Sequence, residues 1–281
     1  MPLENQPSPA RPADAARAEI GVIGGSGFYS FLDDIEEVSV DTPYGAPSDP
    51  IALGAVGNRR VAFVPRHGRD HRYPPHAIPY RANLWALRSL GVTRVVAPSA
   101  VGSLTRDYGP GTLAVPDQLI DRTSGRSQTF YDIGGAVHIS FADPYCPVGR
   151  QVALEVGRAR GWPPVDGGAL VIIEGPRFST RAESQWYAAQ GWTLVGMTGH
   201  PEAVLARELA LCYTPVCLVT DLDAGISAGE GVTQEEVFRV FGENVDRLRG
   251  LIAEVVGALP ADRDCPCPHV LDGIKLPLEL P

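Results

Sequence analysis

A short apolar run, Glu19-Ile-Gly-Val-Ile23, leads without a break into Gly24-Gly25-Ser26-Gly27. A strand that ends in consecutive glycines narrows the folds available, because it puts bare backbone where something must approach closely. A second run, Arg60-Val-Ala-Phe-Val64, ends in the same manner at Pro65-Arg66-His67. Chemistry-bearing residues at strand ends are an α/β feature. Backbone N–H groups in the glycine turn and the Ser26 hydroxyl can bind an anion. Arg66 offers a planar fork to two phosphate oxygens, and His67 adds a donor that need not be charged. Together they read as a cradle for a phosphate dianion, which implies an enzyme handling inorganic phosphate or a phosphorylated sugar. A tight turn and a solvated Arg-His pair are the plainer alternatives.

The rest of the chain alternates in kind. Helical spacing of Leu84 and Leu87 predicts a helix over 80–90, stopped by Gly91 and followed by a strand at Arg94-Val-Val-Ala-Pro98. Further strands are predicted at 112–115, 168–173, 193–196 and 215–220, and helices at 150–160, 180–190, 201–211 and 233–259. The expectation is a single α/β domain over 19–281, with a central mixed sheet flanked by helices. Residues 1–18, rich in Pro, Ala and charge, read as a disordered lead, and 260–281 as an extended tail with at most one short helix.

The formal net charge of −9 argues against a nucleic-acid backbone as partner. No apolar run reaches the length of a membrane span, and the start lacks the basic-then-apolar order of a signal peptide, so a cytoplasmic location without membrane contact is expected. Of the five cysteines, Cys146, Cys212 and Cys217 lie in apolar surroundings and read as small buried hydrophobes. Cys265-Pro-Cys267 leaves open a strained disulfide, a metal site helped by His269, or packing alone. A zinc site would want two more ligands at a recognisable spacing, and the sequence offers none. No metal is therefore expected. His67 and His71 are four apart, but Gly68 and Pro74-Pro75 argue against the helix that would pair them as ligands.

Val219-Thr-Asp221-Leu-Asp223 closes a predicted strand with two carboxylates on one side of it. Such a pair repels unless one member is raised in pKa or bonded to a ligand, and a desolvated Asp can hold or deliver a proton. A solvated loop is the plainer reading. A dinucleotide fingerprint is matched only weakly, because Ser30 stands at the third glycine of Gly25-Ser-Gly27-Phe-Tyr-Ser30, which leaves a nicotinamide enzyme as a runner-up.

Taken in order, Gly24-Gly-Ser-Gly27, Arg66-His-Gly-Arg-Asp-His71, Ala100-Val-Gly-Ser-Leu104, Ile173-Glu-Gly-Pro-Arg-Phe-Ser179, Gly196-Met-Thr198 and Pro201-Glu-Ala-Val-Leu-Ala206 resemble the 5′-methylthioadenosine phosphorylase branch of the trimeric purine nucleoside phosphorylases. The resemblance covers about residues 19 to 270. It implies a nucleoside phosphorylase fold with a distorted central barrel or sheet, a homotrimer with a hexamer left open, phosphate as co-substrate, and no metal or organic cofactor.

It also implies site residues. Phosphate would meet Ser26, Arg66, His67, Ser99, the Ala100 N–H and Thr198; the ribose, Met197. The purine would lie against Ala100, Val101, Gly102, Phe178 and Ser179, with Asp221 and Asp223 reading N7 and the 6-amino group as the acid pair of catalysis alongside Ser179. A carboxylate accepts from an amino group and repels a carbonyl oxygen, so adenine is favoured over 6-oxopurines. His138 would come from a neighbouring subunit to the 5′ end, where Gln234 stands in place of an apolar residue and Val237 and Phe238 keep the wall apolar. The expected reaction is phosphorolysis of 5′-methylthioadenosine. The alternatives are other 5′-substituted purine nucleosides, including 5′-halo-5′-deoxyadenosines, adenosine and methylthioinosine, or a purine-binding protein without catalysis.

Overall fold

A computed structural model describes residues 18–25, 28, 32–227 and 231–281. Eleven strands form one sheet in the order β2-β3-β4-β1-β5-β10-β9-β7, with β11 on β5, β6 on β11 and β8 on β6. They are β1 (Ile20–Gly24), β2 (Asp33–Val38), β3 (Ile51–Val56), β4 (Arg59–Pro65), β5 (Arg94–Ser103), β6 (Leu113–Val115), β7 (Gln118–Arg122), β8 (Val165–Asp166), β9 (Ala169–Ile173), β10 (Leu194–Gly196) and β11 (Cys212–Leu222). The helices are α1 (Tyr80–Ser89), α2 (Pro147–Ala159), α3 (Arg181–Ala189), α4 (Gly199–Glu208) and α5 (Gln234–Ala258). The sheet is mixed: β1 runs parallel to β4 and β5, and β11 parallel to β5, while β10 is antiparallel to β5.

The pleat sorts the core into two layers. Ile23, Ala62, Val64, Val95 and Ala97 face the α1 and α4 side, while Ile20, Val22, Val61, Phe63 and Val96 face the α2 and α5 side. β1 is buried along its whole length because both faces are covered, which is why it reads as continuous apolar sequence. In α5, Val240, Leu248, Leu251, Ile252, Val255 and Val256 recur at helical spacing and form its buried stripe.

β5 shapes everything near the site. β11 pairs with it from Arg94 to Ser103, but on the other edge β1 holds only Arg94 to Val96 and β10 holds only Gly102 and Ser103. Between them the ladder opens over residues 97–101, at the carboxyl ends of β1 and β4. Adjacent strands that part at their carboxyl ends leave the crevice where α/β proteins bind ligands. Across the sheet the β5–β11 register slips between Val219 and Asp221, making Thr220 an extra residue in β11.

Two expectations change. Ala18, placed in the N-terminal lead by composition, is buried, and its N–H donates to the Leu90 carbonyl at 3.0 Å; residues 1–17 lie outside the described residues. The tail carries a short helix, as allowed for, in the 3₁₀ turn Cys267–His269, and Leu276, Leu278 and Leu280 pack on the core. Cys265 and Cys267 are not without further sulfur ligands, since the start of β11 and the loop before α2 bring Cys212 and Cys146 to them. His269 instead pairs with Asp272 at 3.0 Å. Sequence spacing could not reveal this, because the two extra thiols arrive from distant segments. Among the described residues, no helix is long and apolar enough to cross a membrane.

α3 begins with a capping box: the Thr180 hydroxyl accepts from the Glu183 N–H, and the Glu183 carboxylate accepts from the Thr180 N–H. Thr180→Ala is expected to lower the unfolding free energy by about 1 kcal/mol, read from the urea midpoint at unchanged slope.

Candidate active site

A cavity of about 490 Å³ lies in the β5 opening, reached from solvent. Its wall joins the ends of β1, β4, β9, β10 and β11 to the first turns of α5. Of the residues predicted from sequence, Arg66, His67, Ser99, Ala100, Val101, Gly102, Phe178, Ser179, Met197, Thr198, Asp221, Asp223, Gln234 and Val237 all line it. Ser26 lies outside the described residues. His138 is exposed and away from the cavity wall, in a stretch, 123–146, with neither helix nor strand.

At the β4 end, Arg66 is buried, and its fork is already taken. Nε donates to Glu202 Oε1 at 2.5 Å and Nη2 to Glu202 Oε2 at 3.0 Å, while Nη2 also donates to the Ile23 carbonyl and Nη1 to the Pro98 carbonyl. Burial works against the Arg66 charge, but the Glu202 carboxylate outweighs it and the pKa is raised. Four of its N–H groups are thus committed, and one on Nη1 is left. The expected bidentate grip on phosphate is therefore corrected: Glu202 occupies that face, steadied by the Tyr213 hydroxyl at 2.8 Å.

His67 is corrected as well. Its Nδ1 lies 2.8 Å from the Tyr73 carbonyl, which can only accept, so Nδ1 carries the proton. Burial, with help from nearby Arg66 and His71, pushes its pKa down to about 4 against that hydrogen bond. The ring is neutral near pH 7, and its Nε2 is an acceptor rather than a donor. His71 stacks on it at 4.3 Å, in a turn and not a helix. Thr198 precedes α4 without using its hydroxyl as a cap, and the Ser99 hydroxyl lies 3.6 Å from the Cys217 thiol. Both hydroxyls keep bonding capacity for a ligand.

At the β11 end the extra residue places Thr220 and Asp221 together on the cavity wall, with Asp223 beyond. The two carboxyl groups share a side, as the alternation predicted. Burial lifts the Asp221 pKa to about 6, with Asp223 and Glu236 adding to it and the 2.8 Å bond from the Thr220 hydroxyl opposing it. Asp223 accepts from the Ser184 hydroxyl at 2.6 Å. Gly102 allows this arrangement, since a Cβ there would stand 2.8 Å from Asp221 Oδ1. Ser179 is buried, and its hydroxyl has no hydrogen-bond partner among the described residues.

Sequence reasoning missed Glu202, Tyr213, Ser184 and Arg126. Arg126 donates to the carbonyls of Met197, His200, Ile173 and Glu174, tying the strand ends that carry the cavity floor. Glu202 did leave a signal: it is the one acid in the apolar stretch Pro201-Glu-Ala-Val-Leu-Ala206, and a buried acid needs a cation. Arg126 left none.

A mixed α/β sheet whose strand ends carry an anion-binding end and a carboxylate end in one crevice defines a nucleoside-type transferase site. Residues 19–257 match the model of the Phosphorylase superfamily, and the chain belongs to that family. It is 63% identical over 279 residues to a purine nucleoside phosphorylase of Streptomyces coelicolor, covering 96% of this chain and all of the relative. It is 59% identical to an S-methyl-5′-thioadenosine phosphorylase of Mycolicibacterium smegmatis, covering 93% and 99%. A solved methylthioadenosine phosphorylase of Schistosoma mansoni, in complex with adenine, superposes with a TM-score of 0.83 at 37% identity, covering 88% and 93%.

Glu202→Ala leaves the Arg66 charge buried and unpaired, and is expected to destabilise the fold by about 3 to 5 kcal/mol. Denaturant unfolding measures this; a change below about 1 kcal/mol would mean that the pair is not desolvated as described.

Proposed function

We propose that this chain cleaves the N-glycosidic bond of 5′-methylthioadenosine with inorganic phosphate, giving adenine and 5-methylthioribose 1-phosphate. The observation that carries the reading is the single cavity whose one end gathers Arg66, His67, Ser99 and Thr198 and whose other end holds Asp221 and Asp223. Phosphate sits at the first end, taking the remaining Arg66 N–H, the two hydroxyls and the Ala100 N–H, and donating its own O–H to His67 Nε2. One of its oxygens attacks C1′ from the face opposite N9. As the C1′–N9 bond breaks, its electron pair passes into the purine, and the charge is relieved at N7 by a proton from Asp221. Asp223, fixed by Ser184, accepts from the 6-amino group.

The ribose lies over Met197, whose side chain packs where Gly175 has no Cβ, 2.7 Å from where one would stand. The 5′ thioether meets the wall of Val237, Phe238 and Phe241, with Gln234 at its edge. His138 reaches the 5′ end from a neighbouring copy in a homotrimer; its exposure, and the 76% exposure of Ile133 nearby, support a covered surface there. Phosphate is a co-substrate and no organic cofactor takes part. The setting of the reaction is purine salvage in the cytoplasm.

Incubation with 5′-methylthioadenosine is expected to release adenine only when phosphate is present; equal release without it would make the enzyme a hydrolase. Because Asp221 works in its protonated form, kcat/KM for the nucleoside at saturating phosphate stays level below pH 6 and falls above it. Asp221→Asn lowers that kcat/KM by roughly 100-fold or more and removes the limb, with phosphate KM nearly unchanged. A variant as active as the parent would take Asp221 out of the mechanism. The same assay on a panel of 5′-substituted adenosines and inosines tests the base and 5′ preferences.

A further inference from the structure

Four cysteines converge on the side of the molecule away from the cavity. Cys146 caps the start of α2, Cys212 opens β11, and Cys265 and Cys267 flank Pro266 in the tail. Their Sγ atoms all lie within 4.8 Å of one another, with Cys212 and Cys265 at 3.5 Å. Cys146, Cys212 and Cys267 are buried, Cys265 partly so, and all are free thiols.

Thiols are weak hydrogen-bonding groups, so mutual S–H contacts do not explain why three separate segments deliver four of them to one point. A tetrahedral zinc ion does. With zinc–sulfur bonds of about 2.3 Å, the four sulfurs stand about 3.8 Å apart, and the quartet reaches that geometry by closing its longer separations by up to about 1 Å. An iron–sulfur cluster would need the sulfurs held wider. Two disulfides would instead divide the quartet into two tight pairs with sulfurs about 2.0 Å apart, whereas all four cysteines here are free thiols.

The surroundings suit bound thiolates. The Gly149 N–H at the head of α2 points to Cys146 Sγ at 3.5 Å, the kind of N–H to sulfur bond that supports a metal-bound thiolate. Arg94 and Arg263 line a small separate pocket beside Cys146, Cys212 and Cys265, together with Asp262 and Asp264.

We infer that Cys146, Cys212, Cys265 and Cys267 form a structural zinc site that clips the C-terminal segment to α2 and β11. The site takes no part in the chemistry. Cys212 and Asp221 are nine residues apart on one strand, about 30 Å.

The test uses the full chain, purified under reducing conditions without chelator. About one zinc per chain by elemental mass spectrometry is expected, falling to a small fraction in Cys212→Ser and Cys267→Ser but kept in Cys217→Ser, a buried cysteine outside the cluster. Because the first two variants could fail to fold, the parent protein is also exchanged into cobalt, where the ligand-field absorption of a tetrahedral tetrathiolate is expected. Removing the metal should lower the Tm by roughly 10 °C. Zinc-free protein after incubation with zinc under reducing conditions would overturn the proposal. So would an intact mass short by the hydrogens of one or two disulfides in that reduced sample.

Discussion

The parallel ladder between β5 and β11 is the interaction on which the rest depends. It runs the length of both strands, and it is needed because the other edge of β5 is shared between β1 and β10 and left open between them. A strand without a partner over several residues would fray in most sheets; here the continuous bonding on one side keeps residues 97–101 in place while their other edge faces the cavity. Pro98 fits this gap, since it has no N–H to leave unpaired, and its carbonyl is met by Arg66. The same ladder carries the slip that turns Thr220 and Asp221 together toward the cavity. One pair of strands therefore sets both the space for the ligand and the acid that faces it.

Rigidity around that gap comes from buried ionic groups of two kinds. Arg66 and Glu202, with Tyr213, lock β4 to α4 and β11. Arg126 ties the ends of β9 and β10 chiefly through backbone carbonyls, with the Glu174 carboxylate 3.3 Å from its Nε and the Tyr80 hydroxyl 3.2 Å from its Nη1. Neither device adds apolar contact. Each holds its partners at fixed distances and so favours one arrangement of the strand ends, which a reaction needing nucleophile, sugar and acid in line requires.

Much of this was legible in the sequence, for physical reasons. β1, β9, residues 61–64 of β4 and residues 215–219 of β11 are buried and largely apolar, so each appears as an apolar run, and residues ending those runs line the cavity. β2, Asp-Asp-Ile-Glu-Glu-Val, is an exposed edge with no apolar alternation, and β3, Ile-Ala-Leu-Gly-Ala-Val, is poor in β-branched residues; neither announced itself. Residue type identified Arg66 and His67 as members of the site but could not say what else they touch. Whether a guanidinium is spare, or an imidazole donates or accepts, is decided by partners such as Glu202 and the Tyr73 carbonyl, which only the fold delivers. The convergence of Cys146 and Cys212 on Cys265 and Cys267 was hidden for the same reason.

The prior claim of Glu202 on Arg66 has a consequence for how ions are told apart. With that cation balanced by Glu202, His67 uncharged, the half-exposed Arg72 of the cavity wall 3.9 Å from Asp49, and the chain as a whole at −9, charge draws an anion inward only weakly. Chloride or nitrate gains no advantage from charge alone in such a place. At the proposed phosphate site, an oxyanion that offers several acceptors and one hydroxyl hydrogen, matched to hydroxyls, an amide and a waiting ring nitrogen, is selected by the pattern of its bonds, and ionic strength should weigh lightly on that choice.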